Sequence, residues 1–234
     1  MYHPKGPSFF ELARQALSST EKGYDLLAPK FEYTPFRTPD KILEPVFSLI
    51  GEPVDAALDI CCGTGAAMKF LQPLCRKRLV GLDSSKGMLE QARARITGEN
   101  PAPEWVIGNA NDLPFNEEFD LAVCFGALGH IPVSSQPHFV RSIARALKPG
   151  GRFVFVTGYM PSARSVEYWL GKGFNGAMHL RNLFWPKKFV MYYLTFLLPQ
   201  CKHLLEENGF TVEVSEDLFK GTLSPLKAVV ATRS

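Results

Sequence analysis

The sequence lacks long apolar runs and lacks a strong excess of charge of either sign. No apolar run among the 234 residues reaches the roughly 18 residues that span a bilayer, and residues 1–7 lack the apolar core of a secretory signal. The formal net charge is +3, without the clustered basic stripe typical of proteins that bind phosphate backbones. We therefore expect a cytoplasmic protein that does not bind nucleic acid.

Cysteine is scarce, and its spacing argues against a metal site. The sequence contains five cysteines and no Cys-x-x-Cys pair. Most of them lie in apolar segments, which is typical of reduced thiols in a protein core. The adjacent Cys61 and Cys62 could bind a metal in principle, but no histidine lies near them. We predict free thiols and no metal.

The turn at residues 61–65 has two glycines and lacks the third glycine of a dinucleotide-binding turn. An apolar run ends in Asp59, passes through the glycines and enters an apolar segment typical of a helix. Glycine lets a ligand lie against the main chain, and the start of a helix offers unpaired N–H groups. This pattern predicts a nucleoside site without a pyrophosphate, because a carboxylate at Asp59 repels phosphates and favours an ammonium group.

Strand and helix patterns alternate through the middle of the chain. This alternation predicts a doubly wound α/β fold with a parallel sheet. Ligands bind such sheets outside the carboxyl ends of the strands. The predicted strands lie near 56–61, 78–82, 104–108, 119–125 and 151–157, and the predicted helices near 66–72, 85–97 and 134–147.

Polar residues follow the second and third predicted strands. Asp83 lies 18 positions after Gly65, close to the offset at which an acidic residue binds a ribose diol; alternatively, Asp83 and Ser84 only cap the next helix. Met88 contacts a base or belongs to the core. Asn109 has the donor and acceptor that an adenine edge needs, or it forms an Asx turn.

A histidine follows the fourth predicted strand. His130 lies beyond a stretch of small residues that allows a ligand to approach closely. It is a candidate general base. The alternative is a structural histidine that holds a loop by hydrogen bonds.

These motifs, in this order and spacing, resemble the class I S-adenosylmethionine-dependent methyltransferases, and in particular the quinone-ring methyltransferases. The resemblance covers roughly residues 20–157 and resumes at 203–210. The motifs are LDICCGTG at 58–65, GLDSSKGML at 81–89, GNANDLPF at 108–115, FDLAVCFGALGHIP at 119–132 and LKPGGRFVF at 147–155.

The resemblance implies a mainly parallel, seven-stranded Rossmann-like sheet with an antiparallel last strand, so that 211–217 and 226–232 pair. It implies S-adenosyl-L-methionine as cofactor and S-adenosyl-L-homocysteine as product. Two residues depart from the family pattern: Cys61 replaces the first glycine, and Asn109 replaces a common aspartate. By the resemblance the cofactor-binding residues are Asp59, Cys61, Gly63 and Gly65 beside the methionine portion, Asp83 with Ser84 at the ribose, Met88, Asn109 and Ala110 at the adenine, and Cys124, Phe125 and Gly126 beside the sulfonium.

Two segments flank the predicted sheet within a single domain, 1–234. Residues 1–52 form a helical N-terminal cap with a break at Gly23. This cap packs on the sheet, or it covers the ligand with Tyr24, Tyr33 and Arg37. Residues 158–200 are inserted between the fifth strand and the last helix. They are rich in aromatics, and we predict a lid with an apolar helix over 189–198 that is buried or touches lipid. The segment 184–198 is a candidate contact with a membrane surface or a second copy.

The expected reaction is in-line methyl transfer to a small apolar or aromatic acceptor. Alignment of the reactants supplies most of the catalysis. If the acceptor is a hydroxyl or an acidic carbon, His130 is the best placed base, and Tyr24 and Tyr33 are weaker candidates. The alternatives are a nucleic-acid or protein methyltransferase, or a non-catalytic cofactor-binding protein. The sequence Phe125-Gly126-Ala127-Leu128 lacks the Asp/Asn-Pro-Pro-Tyr-type loop of nucleic-acid enzymes.

Overall fold

The computed structural model describes residues 3–98, 100–185 and 188–234. In these residues one sheet of seven strands runs in the order β3-β2-β1-β4-β5-β7-β6. The predicted mainly parallel sheet with an antiparallel final hairpin is confirmed, since β7 pairs antiparallel with both β5 and β6. The strands are β1 (Val54–Ile60), β2 (Cys75–Asp83), β3 (Pro103–Ile107), β4 (Phe119–Cys124), β5 (Leu147–Gly158), β6 (Phe210–Ser215) and β7 (Leu226–Arg233).

The central strand β1 is the point where the strand order reverses. It pairs in parallel with β2 on one side and with β4 on the other. Its side chains from Ala56 to Ile60 are buried, as expected for a strand covered on both faces. Because the connections leave in opposite directions from here, a crevice forms at the carboxyl ends of β1, β2 and β4.

Helices cover both faces of the sheet and form the N-terminal region. Among the described helices, none is long and apolar enough to cross a membrane. The α-helices are α1 (Phe9–Ala16), α2 (Thr20–Leu27), α3 (Asp40–Ile50), α4 (Met68–Leu71), α5 (Lys86–Arg95), α6 (Gln136–Ala146), α7 (Val166–Phe184) and α8 (Gln200–Glu206), and the 3-10 helices are Ala28–Tyr33, Gln72–Leu74, Leu128–His130, Val133–Ser135 and Gly221–Leu223.

The N-terminal helices break at a serine and not at the predicted glycine. Ser19 caps α2 by accepting a hydrogen bond from the Lys22 N–H, and serine at this position is a strong helix start. Gly23 lies inside α2 and is buried. A Cβ atom there would meet the Phe189 ring at 2.8 Å, so this glycine permits close packing.

The predicted helix over 189–198 is wrong, because α7 ends at Phe184, α8 begins at Gln200 and the described residues between them are irregular. Residues 186 and 187 of the segment 184–198 lie outside the described residues. Leu194 and Phe196 have φ angles of 55° and 53°, a left-handed conformation that interrupts a helix. The backbone instead bonds to other elements, for example from the Tyr192 N–H to the Gly129 carbonyl at 2.8 Å.

Candidate functional site

A cavity of about 300 Å³ opens at the carboxyl ends of β1, β2 and β4. We call it the main cavity. The strand ends form one wall, and residues of the N-terminal region together with Met191 and Tyr193 form the other. Eight predicted site residues line it: Cys61, Gly63, Asp83, Ser84, Met88, Phe125, Gly126 and His130. Five others are absent from its lining: Asp59, Gly65, Asn109, Ala110 and Cys124.

Asp83 holds the glycine turn with one carboxylate oxygen and the next helix with the other. Its Oδ2 accepts a hydrogen bond from the Gly63 N–H at 2.9 Å, and its Oδ1 accepts one from the Ser85 N–H at 2.8 Å. Burial raises the pKa of Asp83, and the backbone N–H groups of Ser85, Gly63 and Ser84 oppose that rise. Asp83 therefore shapes the turn, and its side chain still faces the main cavity with lone pairs to spare.

Cys61 adopts a left-handed backbone conformation at the position of the missing glycine. The φ angle of Cys61 is 56°, and that of Gly63, two residues later, is 54°. Cys61 thus adopts the backbone conformation that glycine favours, although it is not a glycine. A hydrogen bond with Cys124 is the main cause that raises the pKa of the Cys61 thiol, followed by burial. Burial also raises the pKa of Cys62. Since thiolates are the reactive form, we assign these two thiols a packing role.

Asp59 lies beneath the glycine turn with an unsatisfied acceptor. It is 2% exposed, and its Oδ2 has no hydrogen-bond partner among the described residues. Burial, and secondly the charge of Asp83, raise the pKa of Asp59 well above its ordinary value. A buried acceptor without a donor is costly, so this atom is suited to a ligand that brings a cationic donor.

Asn109 and Ala110 lie away from the main cavity. Asn109 is exposed, and its Oδ1 accepts a hydrogen bond from the Asn111 N–H at 2.9 Å. This is the Asx turn that the sequence left open as an alternative. Ala110 is buried in the apolar core. Their assignment to an adenine therefore stays a prediction.

His130 connects three separate elements at the far wall of the main cavity. Its Nδ1 lies within hydrogen-bond distance of the Val190 carbonyl, and its Nε2 lies 2.7 Å from the Tyr24 hydroxyl. Because a carbonyl only accepts, Nδ1 carries the proton, and the neutral ring then accepts the Tyr24 O–H at Nε2. Burial lowers the pKa of His130 and raises the pKa of Tyr24. The pair is thus a neutral imidazole, whose Nε2 is free to accept a proton, joined to a neutral phenol.

Glu32 fastens the N-terminal region to the glycine turn. Its carboxylate accepts the Thr64 hydroxyl at 2.5 Å and forms ion pairs with Arg37 at 3.0 Å and Arg95 at 2.8 Å. Only 17% of the Glu32 side chain is exposed. The same residues line a second cavity of about 440 Å³ beside the main one, and Gly65 contributes to it. Glu32 therefore lines the second cavity, which shares Arg37, Thr64 and Ala66 with the main cavity.

Comparison with known proteins places this arrangement in a family. An uncharacterised methyltransferase of Synechocystis sp. is 31% identical over 185 residues, which cover 76% of each chain. The chain belongs to the class I S-adenosylmethionine-dependent methyltransferases. A family model described as a methyltransferase domain matches residues 57–151, the region of the sheet that carries the glycine turn.

Two further comparisons extend this methyltransferase assignment. A demethylmenaquinone methyltransferase of Symbiobacterium thermophilum is 35% identical over 122 residues, which are 50% of this chain and 47% of that protein. The match thus spans about half the length of that relative. The solved DhpI–SAH complex superposes with a TM-score of 0.66 at 17% identity, covering 96% of this chain and 98% of that one. At that identity it supports the fold alone.

The residues present fit the cofactor of this methyltransferase family. S-adenosylmethionine carries an ammonium, a ribose diol and a sulfonium. The orphaned Asp59 carboxylate, which does not itself line the main cavity, is suited to a cationic donor, and Asp83 is among the residues that line the main cavity. The turn between them has positive φ at Gly63 and Gly65, which leaves the backbone open to close approach.

Sequence reasoning missed important side chains of the N-terminal region. Thr38, which lines the main cavity, and Glu32, which accepts the Thr64 hydroxyl, were not candidates, and Tyr24 was predicted only as a weaker base than His130. No spacing rule links residue 24 to residue 130, because the contact depends on how the N-terminal helices pack. The one available signal is the cluster FEYTPFR at 31–37, whose aromatic and charged residues are unusual for a connecting loop.

Proposed function

We propose that the chain transfers the methyl group of S-adenosylmethionine to a small aromatic acceptor that bears a ring hydroxyl. The contact between Tyr24 and His130 carries the proposal, because it puts a proton acceptor in the lining of the cavity that also contains the glycine turn. The bound cofactor supplies an activated methyl group on a sulfonium. The alternative acceptors, nucleic acids and proteins, have no comparable support.

The proposed role of the pair is to remove the hydroxyl proton of the acceptor. Tyr24 gives its proton to His130 Nε2 as it receives the proton of the acceptor, and the Val190 carbonyl holds the His130 ring in the required tautomer. The ionised acceptor is a stronger nucleophile at its ring oxygen or at the adjacent ring carbon. Such base catalysis typically contributes about 10²–10⁴-fold.

The floor of the main cavity supplies binding in this proposal. Asp83, with Ser84 beside it, accepts from the ribose diol, and Asp59 pairs with the ammonium group. Cys61, Gly63, Gly65, Met88, Phe125, Gly126 and Cys124 are proposed to surround the rest of the cofactor, and Asn109 and Ala110 stay candidates for the adenine.

The relatives support the acceptor class. The Symbiobacterium thermophilum protein is named for demethylmenaquinone, a naphthoquinone whose reduced form carries ring hydroxyls. The aromatic residues Phe31, Phe36 and Tyr193 line the main cavity, and they suit a flat apolar ring. We therefore propose a hydroquinone-type ring as acceptor. Residues 1–52 and 158–200 are the proposed cap and lid over it.

The test compares two acceptors that differ in one group. The full chain is mixed with labelled S-adenosylmethionine and either 1,4-naphthohydroquinone or naphthalene, under anaerobic conditions. We expect methylation of the hydroquinone alone, located on carbon or oxygen by mass spectrometry. Tyr24→Phe should lower that turnover by at least tenfold, since it removes the relay. Calorimetric binding of S-adenosylhomocysteine without methylation of the hydroquinone would overturn the acceptor class and leave the cofactor assignment standing.

A further inference from the structure

Helix α7 exposes a continuous apolar stripe to solvent. The large members of this stripe recur at helical spacing and are between 59% and 76% exposed. Between them lie Gly173 and Gly176, where an added Cβ would meet nothing within 4 Å. We call this surface the outer stripe. Its large residues are Val166, Trp169, Leu170, Leu180, Leu183 and Phe184.

The opposite side of α7 packs on the chain that lines the main cavity. Asn175 accepts from the Tyr193 N–H at 2.8 Å and donates to the Tyr193 carbonyl at 2.7 Å. Gly171 lies against Leu194, where a Cβ would approach to 2.9 Å. Since the inner side is already engaged, the outer stripe is the side available to a partner.

The segment that contains the outer stripe carries mostly positive charge. Residues 158–200 contain five Lys or Arg and one acid, Glu167. The described cations Arg164, Lys172 and Lys188 are all exposed. Aromatic rings at both ends of the stripe, Trp169 and Trp185, are of the amphipathic kind found where lipid meets water. Apolar side chains flanked by lysine and arginine fit a surface that is apolar within and anionic at its edge.

Helix α1 also exposes large apolar side chains, and the turn after it contacts the C-terminal end of α7. Arg181 donates to the Ser18 carbonyl at 2.9 Å, which ties this end of the helix to the turn after α1. On α1, Phe9 and Phe10 are 72% and 82% exposed. Apolar residues spread over two elements suit a flat partner better than they suit a single partner helix.

We propose that the outer stripe binds the surface of an anionic lipid bilayer, with α7 lying in the plane of the interface. A helix of 19 residues is about 28 Å long, and an interfacial helix of this kind buries its apolar side at the boundary of headgroups and acyl chains. A second copy of the chain is the weaker partner, because it would bring the same cations against these. The proposal stands independently of the methyl acceptor.

The test measures co-sedimentation of the full chain with two kinds of vesicle. One kind contains phosphatidylcholine alone, and the other contains phosphatidylcholine with about 30% of the anionic lipid phosphatidylglycerol. We expect binding to the mixed vesicles that weakens as salt rises. Leu183→Glu should lower the bound fraction about tenfold or more, because it puts a charge in the apolar side. Lys172→Glu should weaken binding to the mixed vesicles without altering the stripe.

Leu49→Glu is the matched control, because Leu49 is an exposed leucine on α3 outside the outer stripe. It should bind vesicles like the natural chain. Folding of each variant is checked by the thermal shift with S-adenosylhomocysteine. Equal binding by the Leu183 and Leu49 variants would overturn the proposal. The proposal would also be overturned if the chain bound no vesicles and formed a concentration-dependent dimer that Leu183→Glu abolishes. That result would assign the outer stripe to a second copy of the chain.

Discussion

The two walls of the main cavity are built in different ways. The floor consists of strand ends, and its groups are held by neighbours close in the sheet, as when Asp83 on β2 accepts from the Gly63 N–H after β1. The opposite wall consists of segments far apart in the chain. There the Tyr24 hydroxyl meets His130 across 106 positions, and His130 meets Val190 across 60.

This difference separates binding from chemistry. The floor offers the Asp83 carboxylate and open backbone, which suit the constant parts of a nucleoside cofactor. The opposite wall offers aromatic rings, a phenol and an imidazole, which suit a variable acceptor and its proton. We therefore expect substitutions in the floor to change cofactor affinity, and substitutions in the opposite wall to change turnover.

His130→Ala should give the largest effect and should leave the floor intact. It removes the proton acceptor, so turnover at saturating cofactor should fall by about 10²–10⁴-fold, while calorimetric affinity for S-adenosylhomocysteine stays within about twofold. His138→Ala is the matched control, since His138 is exposed on α6. A large loss of affinity in the His130 variant would contradict the separation of the two walls.

The pH dependence of turnover sharpens the same comparison. The imidazole must be unprotonated to act as base, and burial lowers the pKa of His130 below its usual value of 6.5. Turnover should therefore persist as pH falls to 6.5 and decline only at lower pH, as the ring becomes protonated. This acid limb should vanish in the His130→Ala variant, whose residual rate has no imidazole to titrate. A limb that persists in the variant would assign the titration to another group.

Asp83→Ala should give the next largest effect, and this effect should be on the affinity for the cofactor. It removes the acceptor for the Gly63 and Ser85 N–H groups as well as the proposed ribose contact, so we expect affinity for S-adenosylhomocysteine to fall on the order of 100-fold. Asp112→Ala, which removes a carboxylate that is 84% exposed, serves as control. Unchanged affinity by calorimetry would remove Asp83 from the cofactor site.

The same contrast explains how much the sequence could predict. The strands and the glycine turn follow from local patterns, because apolar runs and the residues just after them report the sheet directly. The departure at Cys61 was visible as a missing glycine, and the structure keeps the left-handed backbone there. Eight of the candidates line the main cavity, and all of them except His130 lie at or just after the ends of β1, β2 or β4, where the strand ends meet at one edge.

The segment after α7 could not be predicted in this way. Its apolar residues resemble a buried helix, but its backbone N–H groups donate to side chains outside the segment. The Val190 N–H donates to Thr20 Oγ1 at 2.7 Å, and the Phe189 N–H donates to Asn182 at 3.1 Å. Periodicity carries no information about such partners. Likewise α7 contains Gly171, Gly173 and Gly176, which lower helix propensity, and its helical form depends on packing.

Glu32→Gln should give the smallest effect. Glu32 joins the two walls of the main cavity through its bond to Thr64, so the substitution should loosen one wall from the other. The variant keeps an acceptor for the Thr64 hydroxyl but loses the ion pairs with Arg37 and Arg95, each of modest strength where partly exposed. We expect S-adenosylhomocysteine to dissociate several-fold faster in stopped-flow experiments, since the N-terminal segment then opens more readily. Glu11→Gln is the control, because Glu11 pairs with Lys30 on the exposed surface. Equal dissociation rates in the two variants would mean that the two walls associate without the Glu32 network, through packing alone.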